Sequence, residues 1–277
     1  MYCDLHTHSN YSDGTFTPSE IIIEAEKIGL SAVALCDHNT IDGVYEFIEC
    51  AQGKKVKAIA GVEISTDYNG TELHILALGL NKEQLPIISN YLKINLINKK
   101  KSNIKLIESL VNAGYDIKLE ELTSLTVSGD FNRAHVAGEL VKKGYAKSIQ
   151  EVFDTILRDG GPHYIKTKRL NVFDVIKFIK SIGAVAVHAH PFLDIDEKTF
   201  REFLPKAISC GLDGFETLYS TYTNEQINLS TQIAKEFNLK QSGGSDFHGG
   251  RKPNISLGVG KGNLKVPIEF LNNLLYK

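Results

Sequence analysis

The sequence has few cysteines, no long apolar run and no excess of positive charge. Its four cysteines are spread along the chain without a CxxC pair, at Cys3, Cys36, Cys50 and Cys210. This usage is typical of reduced core thiols and argues against a disulfide framework and a thiolate metal site. No run approaches the ~18 apolar residues of a membrane-spanning helix, and the N-terminal MYCDLHTH shows no signal segment. We therefore expect a cytoplasmic protein that does not associate with membranes.

Charge and apolar content narrow the function classes further. The formal net charge is -2, with 42% hydrophobic and 23% charged residues. Such a chain can bury a core. It lacks the excess of basic residues that is typical of a dedicated nucleic-acid-binding protein, but this does not exclude nucleotides as substrates. The length of 277 residues suits one barrel-type domain that carries an insertion.

Short apolar runs alternate with amphipathic stretches in the first and last thirds of the chain. Thr17-Pro18-Ser19-Glu20 marks a helix start, where Thr17 caps the helix and Glu20 reaches back to it. Asn69-Gly70 predicts a two-residue hairpin turn. Repeated strand–helix units predict an α/β fold, with a largely parallel sheet or a barrel inside and helices outside. The predicted strands are 2–5, 32–36, 58–64, 72–78, 184–188, 214–218 and 240–242.

The middle of the chain has a different pattern. Residues 84–158 show long helical periodicity and no convincing buried strand. We interpret 99–165 as a helical insertion that covers the active site, and 1–98 together with 166–277 as the barrel domain.

Histidines and carboxylates follow the apolar runs in a repeated way. His6 and His8 stand two positions apart at the end of the first predicted strand, and an extended backbone directs both to one face. The same device recurs in two pairs, His188 with His190 and Asp246 with His248. Further candidates that end or follow a strand are Asp37, His38, Glu63 and His74. Active sites of barrels are built at these strand ends.

Each of these residues taken alone is more often a satisfied core or surface side chain. As a set they are costly to bring together unless cations compensate them. Nitrogen and oxygen ligands without thiolate suit Mn²⁺, Zn²⁺ or Fe²⁺ better than Ca²⁺ or a structural zinc. There are more ligands than one ion can accept, so the residues predict a hydrolytic centre with two or three divalent ions, with Mn²⁺ favoured.

Six motifs stand in order along the chain: DLHTHSNYSDGTFTPSEII, AVALCDHNTIDG, GVEIS, ELHILALGL, HAHP and GSDFH. Together they resemble the polymerase and histidinol phosphatase (PHP) superfamily over essentially the whole chain. The likeness is greatest to its stand-alone phosphoesterases with a helical insertion, which act on nucleoside 3′,5′-bisphosphates and on RNA 5′ ends. The resemblance implies a distorted seven-stranded β/α barrel of the TIM-like kind with a three-metal cleft.

The resemblance also implies a ligand set. One ion would be bound by His6, His8, Glu63 and Asp246, and a second, bridged by Glu63, by His74 and His190. The third would be bound by Asp13, His38 and His248. Because the family motif reads Ala-His-Pro, it selects His190 and leaves His188 as an extra strand residue. Asp4 and Asp37 are candidates for orienting a ligand histidine.

Substrate contacts are implied in the insertion and just after it. Arg133 and His135, in Asn132-Arg133-Ala134-His135, match a segment that faces the substrate phosphate in such enzymes. Lys166 and Lys168, in a basic run that continues to Arg169, are candidates for a second phosphate, with a solvated turn as the alternative. His163 and Tyr164 flank the cleft without an assigned role. The family commonly has Asp-His-Asp-Thr where this chain has Asp37-His38-Asn39-Thr40, which puts the role of position 39 in doubt.

The expected function is therefore a metal-dependent phosphoesterase. Its substrate would be a nucleoside 3′,5′-bisphosphate or a short 5′-phosphorylated oligonucleotide, attacked in line by a metal-bridging hydroxide. Arg133 and His135 would act at the phosphate, and no obligate protein partner is expected. The alternatives are a histidinol-phosphate phosphatase, a non-catalytic metal-binding regulatory module and a subunit that acts beside a polymerase.

Overall fold

A computed structural model describes residues 1–126, 129, 131–163, 165 and 168–276. Its strands are β1 (Tyr2–Thr7), β2 (Ala32–Leu35), β3 (Lys57–Tyr68), β4 (Thr71–Leu78), β5 (Leu170–Asn171), β6 (Val185–His188), β7 (Gly214–Tyr219), β8 (Lys240–Gly244) and β9 (Val266–Pro267). Its helices are α1 (Pro18–Lys27), α2 (Val44–Cys50), α3 (Gln84–Asn112), α4 (Leu119–Thr123), α5 (Arg133–Lys142), α6 (Ile149–Asp154), α7 (Val172–Ser181), α8 (Pro191–Asp194), α9 (Glu197–Ser209), α10 (Asn224–Glu236) and α11 (Ile268–Leu275). Each predicted strand overlaps an observed one, whereas β5 and β9 were not predicted.

The strands form one sheet in the order β8-β7-β6-β4-β3-β2-β1-β9, with β5 paired to β3. The sheet curves until its ends meet: the Asp246 main-chain N–H donates to the His6 carbonyl at 2.9 Å, and the His8 N–H donates to the Phe247 carbonyl at 2.9 Å. The result is the nearly closed α/β barrel that the sequence predicted. These two bonds join the first and last metal-ligand motifs directly.

The sheet is parallel except around β4 and β9. β4 runs antiparallel to both β3 and β6, and β9 runs antiparallel to β1. The β3–β4 hairpin turns at Asn69 and Gly70, whose φ angles are 52° and 93°. Positive φ at both positions is what a two-residue hairpin turn of this hand requires, so the Asn-Gly prediction is confirmed.

Alternate residues of the strands divide between two cores. Val33, Leu35 and Phe215 belong to the cluster that packs against the surrounding helices, including α1, α2, α7 and α9. On the opposite face, Leu76 and Val187 belong to a second cluster that α11 closes. The register of β1 is irregular between Asp4 and Thr7, and irregularities of this kind redirect side chains at barrel rims.

The helical middle of the chain has a core of its own. Leu110, Val136, Leu140 and Val152 are fully buried in a third cluster, which takes its members from α3 to α6 and the adjoining turns. Helix α3 begins against the barrel and continues without a break through position 99. The division at 98/99 and 165/166 stays a prediction, although a separate core is what an inserted subdomain needs. Within the described part of the chain, no helix combines the length and apolarity of a membrane span.

Candidate metal centre

The barrel strands and the loops that follow them bring every predicted metal ligand to one cleft. His6 lies in β1, Glu63 in β3 and His74 in β4, while His190 follows β6. The remaining ligands, Asp13, His38, Asp246 and His248, come from loops after β1, β2 and β8, and His8 directly follows β1. Parallel strands place their carboxyl ends at one rim, which explains why the ligands after β1, β2, β6 and β8 converge. His74 comes from the antiparallel strand β4, where it pairs with Ser65, two residues after Glu63.

Four overlapping groups in the described chain have ligand atoms within 4.8 Å of one another. They are His6 with His8 and Asp246; His6 with Glu63 and His190; His38 with Glu63 and His74; and His8 with Asp13, His38 and His248. The proximity agrees with the predicted ligand set in general, and it adds His8 to the group that contains Asp13.

Glu63 stands at the centre of the cluster and is fully buried. Its Oε1 lies 2.9 Å from His74 Nδ1 and its Oε2 lies 2.9 Å from His38 Nδ1. Although burial opposes ionisation, His38, His74 and His6 hold the pKa of the Glu63 carboxyl well below its ordinary value. Two oxygens that face different histidines are the geometry that a bridging carboxylate needs.

The carboxylate of Asp246 is held so that its two oxygens have different surroundings. Its Oδ2 accepts hydrogen bonds from Tyr219 Oη at 2.6 Å and from Lys252 Nζ at 2.5 Å. Its Oδ1 lies 3.1 Å from His8 Nε2 and 3.3 Å from His248 Nδ1. Asp246 adopts a left-handed backbone with φ of 55°, a strained conformation that occurs preferentially at functional sites. Only Oδ1 is therefore directed at the histidines.

Asp13 links the cluster to the helical middle of the chain. Its Oδ1 lies 3.1 Å from His248 Nε2, and its Oδ2 accepts a hydrogen bond from Asn132 Nδ2 at 2.7 Å. Asn132 is the N-cap of α5, where its Oδ1 accepts from the N–H groups of Ala134 and His135. One amide side chain thus joins the start of α5 to a predicted metal ligand.

Several atoms of the cluster approach one another without making hydrogen bonds. Among the described residues, His6 Nε2, both ring nitrogens of His8 and Glu63 Oε2 are buried and have no hydrogen-bond partner. The rings of His8 and His248 have centroids 4.1 Å apart. Buried lone pairs that converge in this way are costly unless a cation satisfies them, and a nitrogen and oxygen donor set without thiolate suits Mn²⁺, Zn²⁺ or Fe²⁺. The residues therefore fit divalent ions.

Glu216 is a functional residue that the sequence analysis missed. Its Oε1 lies 3.0 Å from His6 Nδ1, and its Oε2 accepts a hydrogen bond from the His190 main-chain N–H at 2.7 Å. Carboxylates that bond the outer nitrogen of a ligand histidine fix its tautomer and orientation. Glu72 stands in the same relation to His74, at 3.3 Å.

Asp4 and Asp37, which we expected to orient ligand histidines, hold the backbone and loops instead. Asp4 accepts hydrogen bonds from the Ser245 N–H at 2.8 Å and the His6 N–H at 3.3 Å. Asp37 accepts from the Ser9 N–H at 2.8 Å and the Ser12 hydroxyl at 2.6 Å. Because both carboxylates bind main-chain or hydroxyl donors, their effect on the ligand rings is indirect.

His188 lies on the other face of its strand from the cluster. Its ring is fully buried and packs against Phe200 and Phe203, with centroids 5.6 and 5.1 Å away. Burial, with His190 and His74 nearby, lowers the pKa of His188 to about 3. It is absent from the groups of converging ligand atoms found in the described chain, as expected for an extra strand residue.

A cavity of about 300 Å³ opens beside His38 and His74. Three cationic side chains line it, Lys99, Arg133 and Arg169, together with the carboxylate of Glu72, which forms an ion pair with Arg169. The aromatic ring of Phe153 and the amides of Asn39, Asn95, Asn103 and Asn132 complete the wall. The Arg133 guanidinium donates to Asp159 Oδ1 at 2.8 Å and to the Leu157 carbonyl. Arg133 is thus placed at the cavity and anchored to the turn after α6.

The other predicted substrate contacts have different positions. His135 is buried and is not part of the cavity lining. Lys168 is exposed, and its carbonyl accepts a hydrogen bond from Asn98 Nδ2 at 3.0 Å. His163 Nδ1 lies 2.8 Å from the Ser109 hydroxyl in the helical middle of the chain. Lys166 and Tyr164 lie outside the described residues.

Comparison with known proteins identifies the family of the chain. The profile of the PHP domain family matches residues 4–165. The chain belongs to the PHP domain family. Because its relatives are named as phosphatases, exoribonucleases and phosphodiesterases, the PHP-domain protein is a metal-dependent phosphoester hydrolase.

Three relatives of the PHP-domain protein span most of both chains. A 5′-3′ exoribonuclease from Haemophilus influenzae is 32% identical over 88% of this chain and 89% of that protein. A phosphoribosyl 1,2-cyclic phosphate 1,2-diphosphodiesterase from Eggerthella lenta is 27% identical over 94% and 99%. A 3′,5′-nucleoside bisphosphate phosphatase from Chromobacterium violaceum is 28% identical over 88% and 86%. These relatives share phosphate-ester chemistry and differ in substrate.

One solved structure extends the likeness to the fold. A protein from Bifidobacterium adolescentis, described as a metal-dependent phosphoesterase, is 26% identical and superposes with a TM-score of 0.84. The match covers 98% of this chain and 94% of that one. Barrel and helical middle are thus both present in that relative.

Proposed function

We propose that the PHP-domain protein hydrolyses a phosphate ester of a nucleotide, either a nucleoside 3′,5′-bisphosphate or a short 5′-phosphorylated oligonucleotide. The observation that carries this proposal is the cavity beside His38 and His74, with its three cationic side chains. Its volume of about 300 Å³ lies at the lower end of the range for small-molecule sites, so it suits one nucleotide unit.

The chemistry of the cavity wall supports a nucleotide over a smaller phosphate ester. Arg133 and Arg169 offer planar guanidinium groups that match phosphate oxygens. The Phe153 ring, over which the Arg133 guanidinium lies at 5.2 Å from the centroid, adds aromatic surface for a base. Amides such as Asn103 offer donors and acceptors for the polar edges of the base. Histidinol phosphate carries one phosphate and a cationic amine, which a wall with three cations and the single carboxylate of Glu72 disfavours.

We propose three divalent ions, with Mn²⁺ favoured and Zn²⁺ or Fe²⁺ as alternatives. His6, His8, Glu63 and Asp246 would hold the first; Glu63, His74 and His190 the second; and Asp13, His38 and His248 the third. When bound, such ions neutralise phosphoryl charge and make water nucleophilic near neutral pH.

The side chains of the protein have defined tasks around that chemistry. Glu216, through His6 and the His190 backbone, holds two ligands in position. Tyr219 and Lys252 keep one oxygen of Asp246 turned away from the ligand histidines. Arg133 binds substrate phosphate, while His135 stands beside the Asp13 side of the cleft. Helices α3, α5 and α6 of the helical middle supply one wall of the cavity.

The test is release of phosphate or nucleotide from three substrates in the presence of Mn²⁺. Adenosine 3′,5′-bisphosphate, a 5′-phosphorylated trinucleotide and histidinol phosphate are compared at equal concentration. We expect turnover of at least one nucleotide substrate that a chelator abolishes and Mn²⁺ restores. The proposed substrate class would be refuted if the protein hydrolysed histidinol phosphate alone. It would also be refuted if protein shown to contain its metals hydrolysed none of the three substrates.

A further inference from the structure

A further cationic side chain, Arg251, lies near the metal centre, with Asp13 as a charged neighbour. Arg251 ends a short 3-10 turn that begins right after His248, a predicted metal ligand. The side chain is half-buried, and its Nε is a buried atom without a hydrogen-bond partner in the described chain. Buried donors are nearly always paired, so an unpaired one calls for an explanation.

The Arg251 guanidinium lies against a glycine on α5. A Cβ built at Gly138 would lie 3.0 Å from Arg251 Nη1. Gly138 stands three positions after His135, so both occupy the same face of α5. The arginine therefore reaches across from the barrel and lies on the helix face that carries His135, where the absence of a side chain at Gly138 makes room for it.

His135 presents a second unpaired donor on that face. The Asn132 main-chain N–H lies 3.1 Å from its Nδ1, and Asn132 Oδ1 lies 2.9 Å from the same nitrogen. We assign the ring proton to Nε2, the tautomer in which Nδ1 accepts from that N–H. Nε2 is buried and has no partner among the described residues, and the whole side chain is 1% exposed. Burial and the neighbouring Arg251 lower the pKa of His135 to about 3, so the ring is neutral.

Lys252, the next residue, has a hydrogen-bond partner, so the unpaired cationic donor is particular to Arg251 and is not a property of the whole loop. The Lys252 ammonium is bonded to Asp246 Oδ2 at 2.5 Å, so its charge supports a metal ligand. Arg251, its neighbour, has Asp13 as its attractive charged neighbour, and no ion pair between the two is found in the described chain. Two adjacent cations therefore serve different purposes.

Resting on the proposed function, we propose that Arg251 is a substrate-binding residue, and that its guanidinium together with the His135 Nε2–H binds oxygens of the phosphoryl group at the Asp13–His248 side of the metal centre. Two donors, one cationic and one neutral, match a tetrahedral anion with several acceptor oxygens. Arg251 is not among the residues that line the cavity of Lys99, Arg133 and Arg169, so it would be a phosphate-binding group separate from that cavity. A substrate with two phosphate groups is the chemical class that uses both.

The experiment measures binding of inorganic phosphate to Mn²⁺-loaded protein by calorimetry, together with kcat and KM on adenosine 3′,5′-bisphosphate. The variants are Arg251→Met, Arg251→Lys and Gly138→Ala, with Arg201→Met as the matched control. Arg201 pairs with Glu197 and Glu236 on the helical exterior. Thermal unfolding and bound-metal content are recorded for every variant.

We expect Arg251→Met to weaken phosphate binding about tenfold and to lower kcat by on the order of 10²-fold, as loss of one charge-stabilising donor does. Arg251→Lys should recover part of the binding, because it keeps the charge without the fork. Gly138→Ala should weaken phosphate binding because it displaces the guanidinium, without lowering the melting temperature, since alanine favours a helix. Arg201→Met should bind phosphate like the parent protein.

Phosphate binding by Arg251→Met and Gly138→Ala equal to that of the parent would overturn the inference. So would a loss in both variants that follows a fall in melting temperature or metal content, because that pattern marks a structural arginine. If Arg251→Met does not fold, Gly138→Ala alone decides. The binding readout does not depend on nucleotide turnover, so failure of the proposed substrate class is distinguishable from failure of this inference.

Discussion

The two walls of the cleft are built in different ways. On the barrel side, ligand residues are held by the sheet itself, as when the Asp246 N–H donates to the His6 carbonyl. On the helical side, Arg133 and His135 lie in the first turn of α5, which depends on its cap and on a separate small core. The barrel side therefore tolerates little change, whereas the helical side can vary in sequence and reposition. This difference fits relatives that share phosphate-ester chemistry and differ in substrate.

The largest effect is expected at the centre of the barrel wall. Glu63→Gln removes a buried charge that faces His38 and His74 at 2.9 Å on each oxygen. We expect kcat to fall by on the order of 10³-fold, the upper range for loss of one electrostatic contributor, and the bound-metal content to fall by at least one ion per chain. Activity and elemental analysis of the same preparation check both.

The matched control is Glu225→Gln, at an exposed position in the first turn of α10. It should leave activity and metal content unchanged. Full activity in Glu63→Gln with parental metal content would contradict the assignment of Glu63 as a shared ligand. Circular dichroism of both variants establishes that the barrel remains folded.

The second-largest loss of activity is expected at Glu216, which contacts two predicted metal ligands and is not itself a predicted ligand. In Glu216→Gln, the amide oxygen can still accept a hydrogen bond from His6 Nδ1. The amide NH₂ would then face the His190 N–H, which donates to a carboxylate oxygen in the parent protein. Two donors cannot bond one another, and the charge is lost as well. We expect a 10–100-fold loss in metal affinity or activity, the usual range for partners of ligand histidines. Titration with Mn²⁺ measures it, and a variant with unchanged affinity and kcat would show that Glu216 has only a packing role.

The contrast between the two walls also explains what the sequence can predict. His6 with His8 and Asp246 with His248 are readable because period-two spacing after an apolar run places both side chains at a strand end. Strand positions were predicted for the same reason. Glu216 was missed because its role depends on contacts with His6 and His190, both made by folding and not by local pattern. It stands in GFETLY, where a lone carboxylate in an apolar strand is the only local signal.

Contacts across the cleft are harder still to predict. Arg251 and Lys252 follow GSDFH in a glycine-rich segment without periodicity, so nothing local separates the residue that supports Asp246 from the residue that faces Asp13. Gly138 would be interpreted as a weak point of a helix, although its lack of a side chain makes room for Arg251. Such roles depend on how α5 is placed on the barrel, which hydrophobic patterns do not specify.

Substitution of Asn132 tests the hydrogen bond that connects the helical wall to the barrel wall. Asn132 caps α5 and donates to Asp13 Oδ2 at 2.7 Å. Asn132→Ser keeps a good cap, whereas Asn132→Ala loses it at a cost of ~1 kcal/mol; both lose the contact with Asp13. We expect kcat/KM to fall about tenfold in both variants, with a lower melting temperature in the alanine variant only. If the serine variant retains full activity, the bond to Asp13 is unimportant and the cap alone matters.

The smallest effect is expected at position 39, where this chain departs from the family pattern. The Asn39 side chain accepts from the Ser65 N–H and Asn95 Nδ2, each at 3.1 Å, and its Nδ2 donates to the Ser65 hydroxyl at 3.0 Å. Asn39→Asp keeps both accepted bonds, and the Ser65 hydroxyl can rotate to donate to the new oxygen. We expect kcat/KM within about threefold of the parent and a loss of ~1 kcal/mol at most in stability, the size of one ordinary hydrogen bond.

Asn39→Ala removes all three bonds that join β3 and α3 through this side chain, so it should lose more stability than the aspartate variant. A lower kcat/KM in the aspartate variant than in the alanine variant would contradict this expectation. It would mean that the charge at position 39, beside His38, matters more than the hydrogen-bonded link to α3.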